Sequence, residues 1–367
     1  MLNCVKINRE NIIKNLKRIR NMTPLICVVK DDAYGLGIEN ILPVLYNEGE
    51  RYYAVAFFEE ASEIRKMYED VNIIILNYTE EEKLHEAVKD KIEVSVFSML
   101  QLHRYIEILG DKIPELGIHI KFNTGMNRLG FDIEETPELC RIISENNLQV
   151  KSVFSHISNS ENIENTEKQL EKFENITNLL KKHEINYGFR HISASPALFQ
   201  YTGKYNFDFS RVGMAIYGLE PLSKDTGLEK CISIESKIIN IKNVKKGEYI
   251  SYGENNRLEK DTAVGIIPMG YAQGIQMQIE NKGAYALING KKAPVIGEVC
   301  MDMLLLDISG IENVNLLDSV VLLGKSGNEE ITLRDISKWT STIQDDIITK
   351  ISKKIKRIIT QGELWKK

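Results

Sequence analysis

The chain has 367 residues and a formal net charge of −5, with 27% charged and 43% hydrophobic residues. The acidic excess argues against a nucleic-acid-binding protein, which needs a basic face. Five widely spaced cysteines without a CxxC pair indicate neither a zinc site nor a disulfide framework. No run approaches 18 apolar residues and no secretory apolar core opens the chain, so we expect a cytoplasmic protein that binds no membrane.

A helical pattern over residues 8–20 opens the chain, with Ile12, Leu16 and Ile19 on one face. Short apolar runs then alternate with amphipathic stretches. The eight strand-like runs are 25–30, 52–58, 71–77, 92–98, 116–123, 149–156, 187–193 and 207–213. Strands that alternate with helices predict an α/β fold with an N-terminal (β/α)8 TIM-type barrel over residues 1–225. A doubly wound open sheet is the structural alternative.

After residue 221 the pattern changes to strand-like runs joined by turns. These runs are 232–241, 249–252, 263–268, 284–288, 293–296, 303–308 and 319–323. The pair Asn289-Gly290 is typical of a type I′ hairpin turn, and residues 245–248 indicate a second turn. We therefore expect a C-terminal, mostly-β domain over residues 226–367, with a helix at 333–339 and one or two strands within 347–359.

Three loops of the predicted barrel carry residues suited to a phosphorylated cofactor. Lys30 ends the first strand, where an amine can form a Schiff base, although a surface lysine in a loop is the simpler interpretation of position alone. Ser195 begins a helix after the seventh strand and Gly213 follows the eighth, where barrels often hold phosphate. Taken singly, these two residues are an ordinary helix cap and an ordinary turn. Together with Lys30 they predict a phosphate-bearing cofactor.

Residues 28–37, VVKDDAYGLG, closely resemble the cofactor-lysine motif of the alanine racemase family. The resemblance extends in order along nearly the whole chain. It implies that Lys30 binds pyridoxal 5′-phosphate (PLP), and that Tyr34, Ser195 and the backbone amides of Gly213 and Met214 bind the phosphate. Asp31 departs from the small or amide residue that is usual after the lysine.

The same resemblance assigns residues around the cofactor ring. It implies that Arg211 faces the pyridine nitrogen. A guanidinium keeps its protons at working pH, so the ring nitrogen would stay unprotonated and the cofactor would be a weaker electron sink. Residues 121–131, KFNTGMNRLGF, match a family segment in which Arg128 lies near the substrate carboxylate and Lys121 is often carbamylated. His156 matches the histidine that supports a tyrosine base.

The β domain resembles family segments that complete the active site of a second subunit. Tyr252 falls on the tyrosine acid/base, with Lys30 acting on the opposite face of the substrate Cα. Met301 would offer its backbone N–H to the substrate carboxylate, with Asp302 nearby. Tyr271 lies in GYAQG, in which the family usually has aspartate where this chain has glutamine. The resemblance thus implies a homodimer with shared active sites, acting on a small amino acid.

Departures from the family pattern cluster at the substrate entrance. Glu298 and Met277 stand where arginines are usual, and Asp345 stands where a tyrosine usually narrows the entrance. Glu161 keeps the acidic character that is usual nearby. We expect a wider and more negative entrance, which would favour serine or a basic amino acid such as ornithine, lysine or arginine more than in a strict alanine enzyme.

The resemblance therefore implies a PLP-dependent racemase that interconverts L- and D-alanine by a two-base mechanism using Lys30 and Tyr252. A racemase preferring serine or a basic amino acid is one alternative. A PLP-dependent decarboxylase on the same fold is another, which Arg211 disfavours because decarboxylases prefer an acidic residue at the pyridine nitrogen. A non-catalytic PLP carrier lacks the β domain.

Overall fold

The computed structural model describes residues 1–280 and 282–361. Eight parallel strands form the barrel, in the order β8-β7-β6-β5-β4-β3-β2-β9, and a bridge between Ala194 and Arg211 joins its two edges. After β1 (Cys4–Asn8), the strands are β2 (Leu25–Val28), β3 (Tyr52–Val55), β4 (Asn72–Ile75), β5 (Glu93–Val96), β6 (Gly117–Lys121), β7 (Gln149–Phe154), β8 (Phe189–His191) and β9 (Ser210–Val212). Each of the eight predicted barrel runs contains one of these strands, so the barrel prediction is confirmed.

Helical segments connect the successive strands. They are α1 (Arg9–Arg20), α2 (Lys30–Gly35), α3 (Ile38–Asn47), α4 (Phe58–Met67), α5 (Leu84–Lys89), α6 (Met99–Leu109), α7 (Thr136–Glu145), α8 (Ile163–Lys182) and α9 (Ser195–Gln200). In α1, Ile12, Leu16 and Ile19 are fully buried, as the helical periodicity predicts. Asn8 caps this helix by accepting a hydrogen bond from the backbone N–H of Asn11 at 3.0 Å.

The second sheet is mostly antiparallel, in the order β11-β12-β15-β14-β13-β16-β10-β1-β18, with β17 paired to β16. Besides β1, its strands are β10 (Ile232–Lys237), β11 (Asn240–Val244), β12 (Thr262–Ile267), β13 (Tyr285–Ile288), β14 (Lys291–Ile296), β15 (Leu304–Asp307), β16 (Ser319–Ser326), β17 (Glu329–Ile331) and β18 (Lys356–Thr360). Two helices, α10 (Leu333–Thr340) and α11 (Gln344–Thr349), lie between β17 and β18 along the chain. Asn289 and Gly290 have φ of 49° and 73° between β13 and β14, which confirms the predicted hairpin.

Several elements differ from the sequence expectation. The predicted run 232–241 is divided between β10 and β11, and β17 has no counterpart among the predicted runs. The pattern does not indicate β1, which pairs antiparallel with β10 and parallel with β18 in the second sheet. Residues 344–349 are helical although strands were expected from residue 347. The predicted strand 249–252 is wrong, because Tyr249 makes only an isolated bridge to Arg257 and Ser251 has a φ of 56°. A left-handed residue breaks the extended geometry that a strand needs.

Candidate active site

Lys30 lies at the mouth of the barrel, two residues beyond the end of β2. The next four residues, Asp31 to Tyr34, all have left-handed backbones, with φ between 52° and 58°. Each left-handed non-glycine residue costs roughly 1–2 kcal/mol, so the surrounding structure must hold this turn in place. The backbone N–H of Ala33 donates to the Val29 carbonyl at 2.9 Å, and Asp32 accepts from the Ile38 N–H at 2.8 Å. The turn places Tyr34 beside Lys30.

Both residues line a cavity of about 480 Å³ at the carboxyl ends of the barrel strands, where TIM-barrel active sites lie. The cavity brings together ten of the predicted site residues. They are Lys30, Tyr34, Lys121, Arg128, His156, Ser195, Arg211, Gly213, Met214 and Asp345.

Four donors of this cavity have no hydrogen-bond acceptor among residues 1–280 and 282–361. They are the Tyr34 phenol, the Ser195 hydroxyl and the backbone N–H groups of Gly213 and Met214. Burial, followed by the charge of Asp345, raises the pKa of Tyr34, which keeps the phenol protonated and able to donate. Such a set of free donors is suited to an oxyanion with several acceptor oxygens.

Because residue 213 is a glycine, the Tyr34 ring lies directly against the backbone of the loop that follows β9. A Cβ at position 213 would lie 2.6 Å from the Tyr34 hydroxyl oxygen and 2.8 Å from its ring carbon Cε2. On its other side, the Tyr34 ring packs against Tyr217, with ring centroids 5.3 Å apart. Tyr217 is fully buried and donates its hydroxyl to the Val28 carbonyl at 3.0 Å. Tyr34 is therefore clamped between Gly213 and Tyr217.

Arg211 is buried and held by two histidines. Its Nη1 lies 2.6 Å from Nδ1 of His191, and its Nη2 lies 2.9 Å from Nδ1 of His156 and 2.7 Å from the Ser155 carbonyl. His156 therefore contacts Arg211 directly. Burial lowers the pKa of Arg211 to about 9, which still leaves it charged at neutral pH. Its Nε–H alone among the guanidinium donors lacks an acceptor in the described ranges.

The electrostatics of the cavity keep its histidine neutral. Burial first, and then the positive charges of Arg211, Lys121, Arg128 and Lys30, lower the pKa of His156 well below its usual value. Since Nδ1 accepts from Arg211, the remaining proton lies on Nε2, which has no partner in the described part of the chain. Burial and the same cationic surroundings lower the pKa of Lys121 to about 8, and Lys121 lies over the Phe154 ring at 5.7 Å.

Two of the predicted entrance carboxylates lie on the barrel side. Asp345 lines the cavity of Lys30, and burial raises its pKa, although the charge of Lys30 opposes this shift. Its Oδ1 is buried and has no hydrogen-bond partner in the described structure. Glu161 lines a neighbouring cavity of about 400 Å³ that shares His156 with the first. It accepts from the N–H and hydroxyl of Ser223.

The remaining predicted residues lie together on the β domain and do not line the cavity of Lys30. The backbone N–H of Ala272, next to Tyr271, donates to the Met301 carbonyl at 3.0 Å. Asp302 accepts from Gln273 at 3.0 Å, and Glu298 lies against the glycine after Tyr252. The side chain of Tyr252 is 67% exposed and that of Met301 is 54% exposed; Met277 is also exposed, whereas Glu298 is half-buried.

Three residues that hold the site were not singled out from the sequence. Tyr217 supports Tyr34, whereas His191 and Ser155 hold Arg211. A histidine at a strand end, the signal used for His156, also marks His191 at the end of β8. The Tyr217 contact depends on packing between loops, which no local pattern records.

The chain matches the family models "Alanine racemase, N-terminal domain" over residues 7–221 and "Alanine racemase, C-terminal domain" over residues 231–359. It is 35% identical to alanine racemase 1 of Clostridium acetobutylicum, over 98% of this chain and 96% of that protein. It is 33% identical to the alanine racemase of Fusobacterium nucleatum, over 97% and 99% of the two chains.

Solved structures agree with these sequence relatives. The alanine racemase of Bacillus anthracis with bound L-Ala-P superposes with a TM-score of 0.90 at 26% identity, covering 98% of this chain and 95% of that one. The alanine racemase of Clostridium difficile gives 0.91 at 27% identity, covering 99% and 96%. Across residues 1–280 and 282–361, no helix is long and apolar enough to cross a membrane. The chain belongs to the alanine racemase family.

Proposed function

We propose that this protein is a PLP-dependent racemase that interconverts L- and D-alanine, with active sites shared between two subunits. The observation that carries the proposal is the cavity in which Lys30, four free anion donors and the buried Arg211 meet. In this proposal residues 1–225 bind the cofactor, and residues 226–367 complete the site of the partner subunit. The named relatives, all alanine racemases, support alanine as the substrate.

The cavity residues fit PLP in three separate respects. The Lys30 amine can bind the aldehyde covalently. Tyr34, Ser195 and the amides of Gly213 and Met214 can donate to the phosphate, because no acceptor in the described part of the chain occupies them. The free Nε–H of Arg211 can donate to an unprotonated ring nitrogen. When bound, PLP stabilises negative charge that develops at the substrate Cα.

The side chains of the protein move and direct the proton. Lys30 is placed to exchange a proton on one face of the substrate Cα. Arg211 can only donate, and it thereby weakens the electron withdrawal of the ring, which favours prompt reprotonation over decarboxylation or transamination. Arg128 is placed for the substrate carboxylate, and a carbamate on Lys121 would pair with it.

The base for the opposite face must come from outside this cavity. Tyr252 does not line it, yet lies on an exposed face with the large side chains of Tyr271 and Met301. Clustered exposed apolar groups of this kind typically mark interfaces. The free Nε2–H of His156 is available to stabilise a phenolate, so the partner subunit's Tyr252 is our candidate for the second base.

The test is exchange of solvent deuterium into Cα with loss of optical activity, measured on alanine, serine and lysine. We expect alanine to racemise with exchange, whereas CO2 release without racemisation would support a decarboxylase and overturn the proposal. The comparisons give no support to that alternative or to another preferred substrate. The entrance carboxylates predict measurable rates on serine or lysine, and an alanine advantage of about 100-fold or more would contradict that prediction.

Two variants test the sharing of the site. Lys30→Ala and Tyr252→Phe should each be inactive or nearly so as homodimers. When the two are co-expressed, half of the dimers carry one intact site, so activity should return to about one quarter of the wild-type value. No recovery in isolated mixed dimers would show that both residues act within one chain.

A further inference from the structure

A line of buried polar side chains crosses the inside of the barrel and ends at Arg211 in the cavity lining. Glu93, His119, Ser152, His191 and Arg211 come from five different strands, β5 to β9. His119 Nε2 lies 2.9 Å from Glu93 Oε2, and His119 Nδ1 lies 2.6 Å from Ser152 Oγ. Ser152 Oγ lies 2.9 Å from His191 Nε2, and His191 Nδ1 lies 2.6 Å from Arg211 Nη1. The line therefore connects a carboxylate to the guanidinium of the candidate site.

The direction of every hydrogen bond in this line follows from its two ends. Arg211 can only donate, so His191 accepts at Nδ1 and carries its proton on Nε2, from which it donates to Ser152. The Ser152 hydroxyl then donates to Nδ1 of His119, whose Nε2–H donates to Glu93. Burial and the charge of Arg211 lower the pKa of His191, in agreement with a neutral ring.

Local backbone features make room for this line. The register between β6 and β7 shifts after Ile118, so that His119 pairs with Ser152 and Lys151 is skipped. This irregularity turns Ser152 toward His119. At Gly117, an added Cβ would lie 2.9 Å from Cγ of Glu93 and 3.2 Å from Cε of Lys151. A glycine there lets Glu93 reach the histidine.

Arg211 has no carboxylate within 4.0 Å among residues 1–280 and 282–361. A buried guanidinium without a counter-charge is unfavourable. We propose that Glu93 is a positioning residue that supplies this counter-charge through the chain of hydrogen bonds, and so fixes Arg211 in its orientation toward the cofactor ring. Other cations near Glu93 are Lys151, at 4.0 Å, and Arg65. The inference rests on the proposed function.

Glu93→Gln removes the charge but keeps the shape and an acceptor for His119. Ser152→Ala interrupts the line and leaves both charged ends in place. Ser95→Ala is the matched control, because Ser95 on β5 is as buried as Ser152 and its hydroxyl donates to the Ile75 carbonyl at 2.6 Å, outside this line. All three are compared with wild-type holoenzyme by visible absorbance against pH and by steady-state kinetics.

We expect Glu93→Gln to lower kcat by about tenfold with little change in KM, because the interaction acts on Arg211 rather than on substrate. It should move the titration midpoint of the cofactor band to lower pH, because the site loses a negative charge. Ser152→Ala should also lower kcat with little change in KM, whereas its midpoint should stay close to the wild-type value because no charge is lost. The double variant should lose no more activity than the less active single variant, because each substitution interrupts the same chain of hydrogen bonds.

The inference would be overturned if the losses of kcat in the two single variants added up in the double variant. It would also be overturned if Glu93→Gln had the same titration midpoint and kcat as Ser95→Ala. If Glu93→Gln does not fold, Ser152→Ala alone decides, because it alters no charge. Nitrogen NMR of labelled histidines gives an independent readout, with His119 and His191 both neutral and protonated on Nε2. An inactive wild-type enzyme would instead contradict the proposed function, so the two failures are distinguishable.

Discussion

Replacing Gly213 by alanine tests the clamp around Tyr34. The new Cβ would lie 2.6 Å from the phenol oxygen and 2.8 Å from Cε2, whereas non-bonded carbons prefer about 3.5 Å or more. The ring must therefore retreat by about 0.7 Å or the loop must shift by a similar distance. Tyr217 blocks the retreat, because it is fully buried and tied to the Val28 carbonyl.

Overpacking of this kind typically costs about 1–3 kcal/mol. In the cofactor-free protein the loop can relax, whereas PLP binding requires the Tyr34 hydroxyl and the amides of residues 213 and 214 to be positioned together around the phosphate. If most of the cost falls on the bound state, the Kd for PLP should rise by about 5- to 150-fold. Fluorescence titration of the apoprotein with PLP measures this directly.

Gly310→Ala is the matched control, because a Cβ there meets no atom within 4 Å and the backbone does not have positive φ. It should leave the Kd unchanged. A Gly213→Ala protein that binds PLP as tightly as the Gly310→Ala protein would refute the idea that contact between Tyr34 and the loop orders the phosphate site.

Three further predictions concern stability and pH. Lys121 has a folded-state pKa of about 8 against 10.5 in the unfolded chain, so the unfolded state binds the extra proton between these values. In CO2-free apoprotein, the free energy of unfolding of wild type relative to Lys121→Gln should rise from pH 8 to 10; a constant difference would contradict the lowered pKa. Asp31→Gly should stabilise the protein by up to about 1 kcal/mol in urea unfolding, because glycine tolerates the left-handed turn. The control, Lys14→Gly in the exposed face of α1, should instead destabilise the protein. Asn8→Ala should cost at least about 1 kcal/mol through the lost cap, and no loss on thermal unfolding would argue against that role.

Periodicity was sufficient for the barrel because each parallel strand is a short apolar run buried on both faces, as in β2, and lies between amphipathic helices. The convergence of strand ends on one face of a barrel also accounts for Lys30, Ser195 and Gly213, whereas the other barrel-side site residues were predicted from the resemblance to the family. The relation of Tyr252 to Lys30 cannot be read this way, because the two residues lie in different domains.

Elements whose structure is set by distant neighbours were not predictable. The run that forms β1 is only five residues long and lies next to a strong helical pattern. Residues 344–349 form too short a segment for periodicity to separate helix from strand. The line from Glu93 to Arg211 is invisible locally, because its members are separated along the chain and meet only when the barrel closes and β7 shifts its register.

The placement of β1 has a consequence for how the protein is made. The first strand, Cys4–Asn8, lies between β10 and β18, and its parallel neighbour, Lys356–Thr360, is the last strand described. During synthesis the amino-terminal segment therefore leaves the ribosome long before its partners exist, and must wait with an unpaired edge. Barrel fragments that end before β10 would retain this edge and be prone to aggregate, so cutting the gene between the two family domains is a poor route to a stable half-protein.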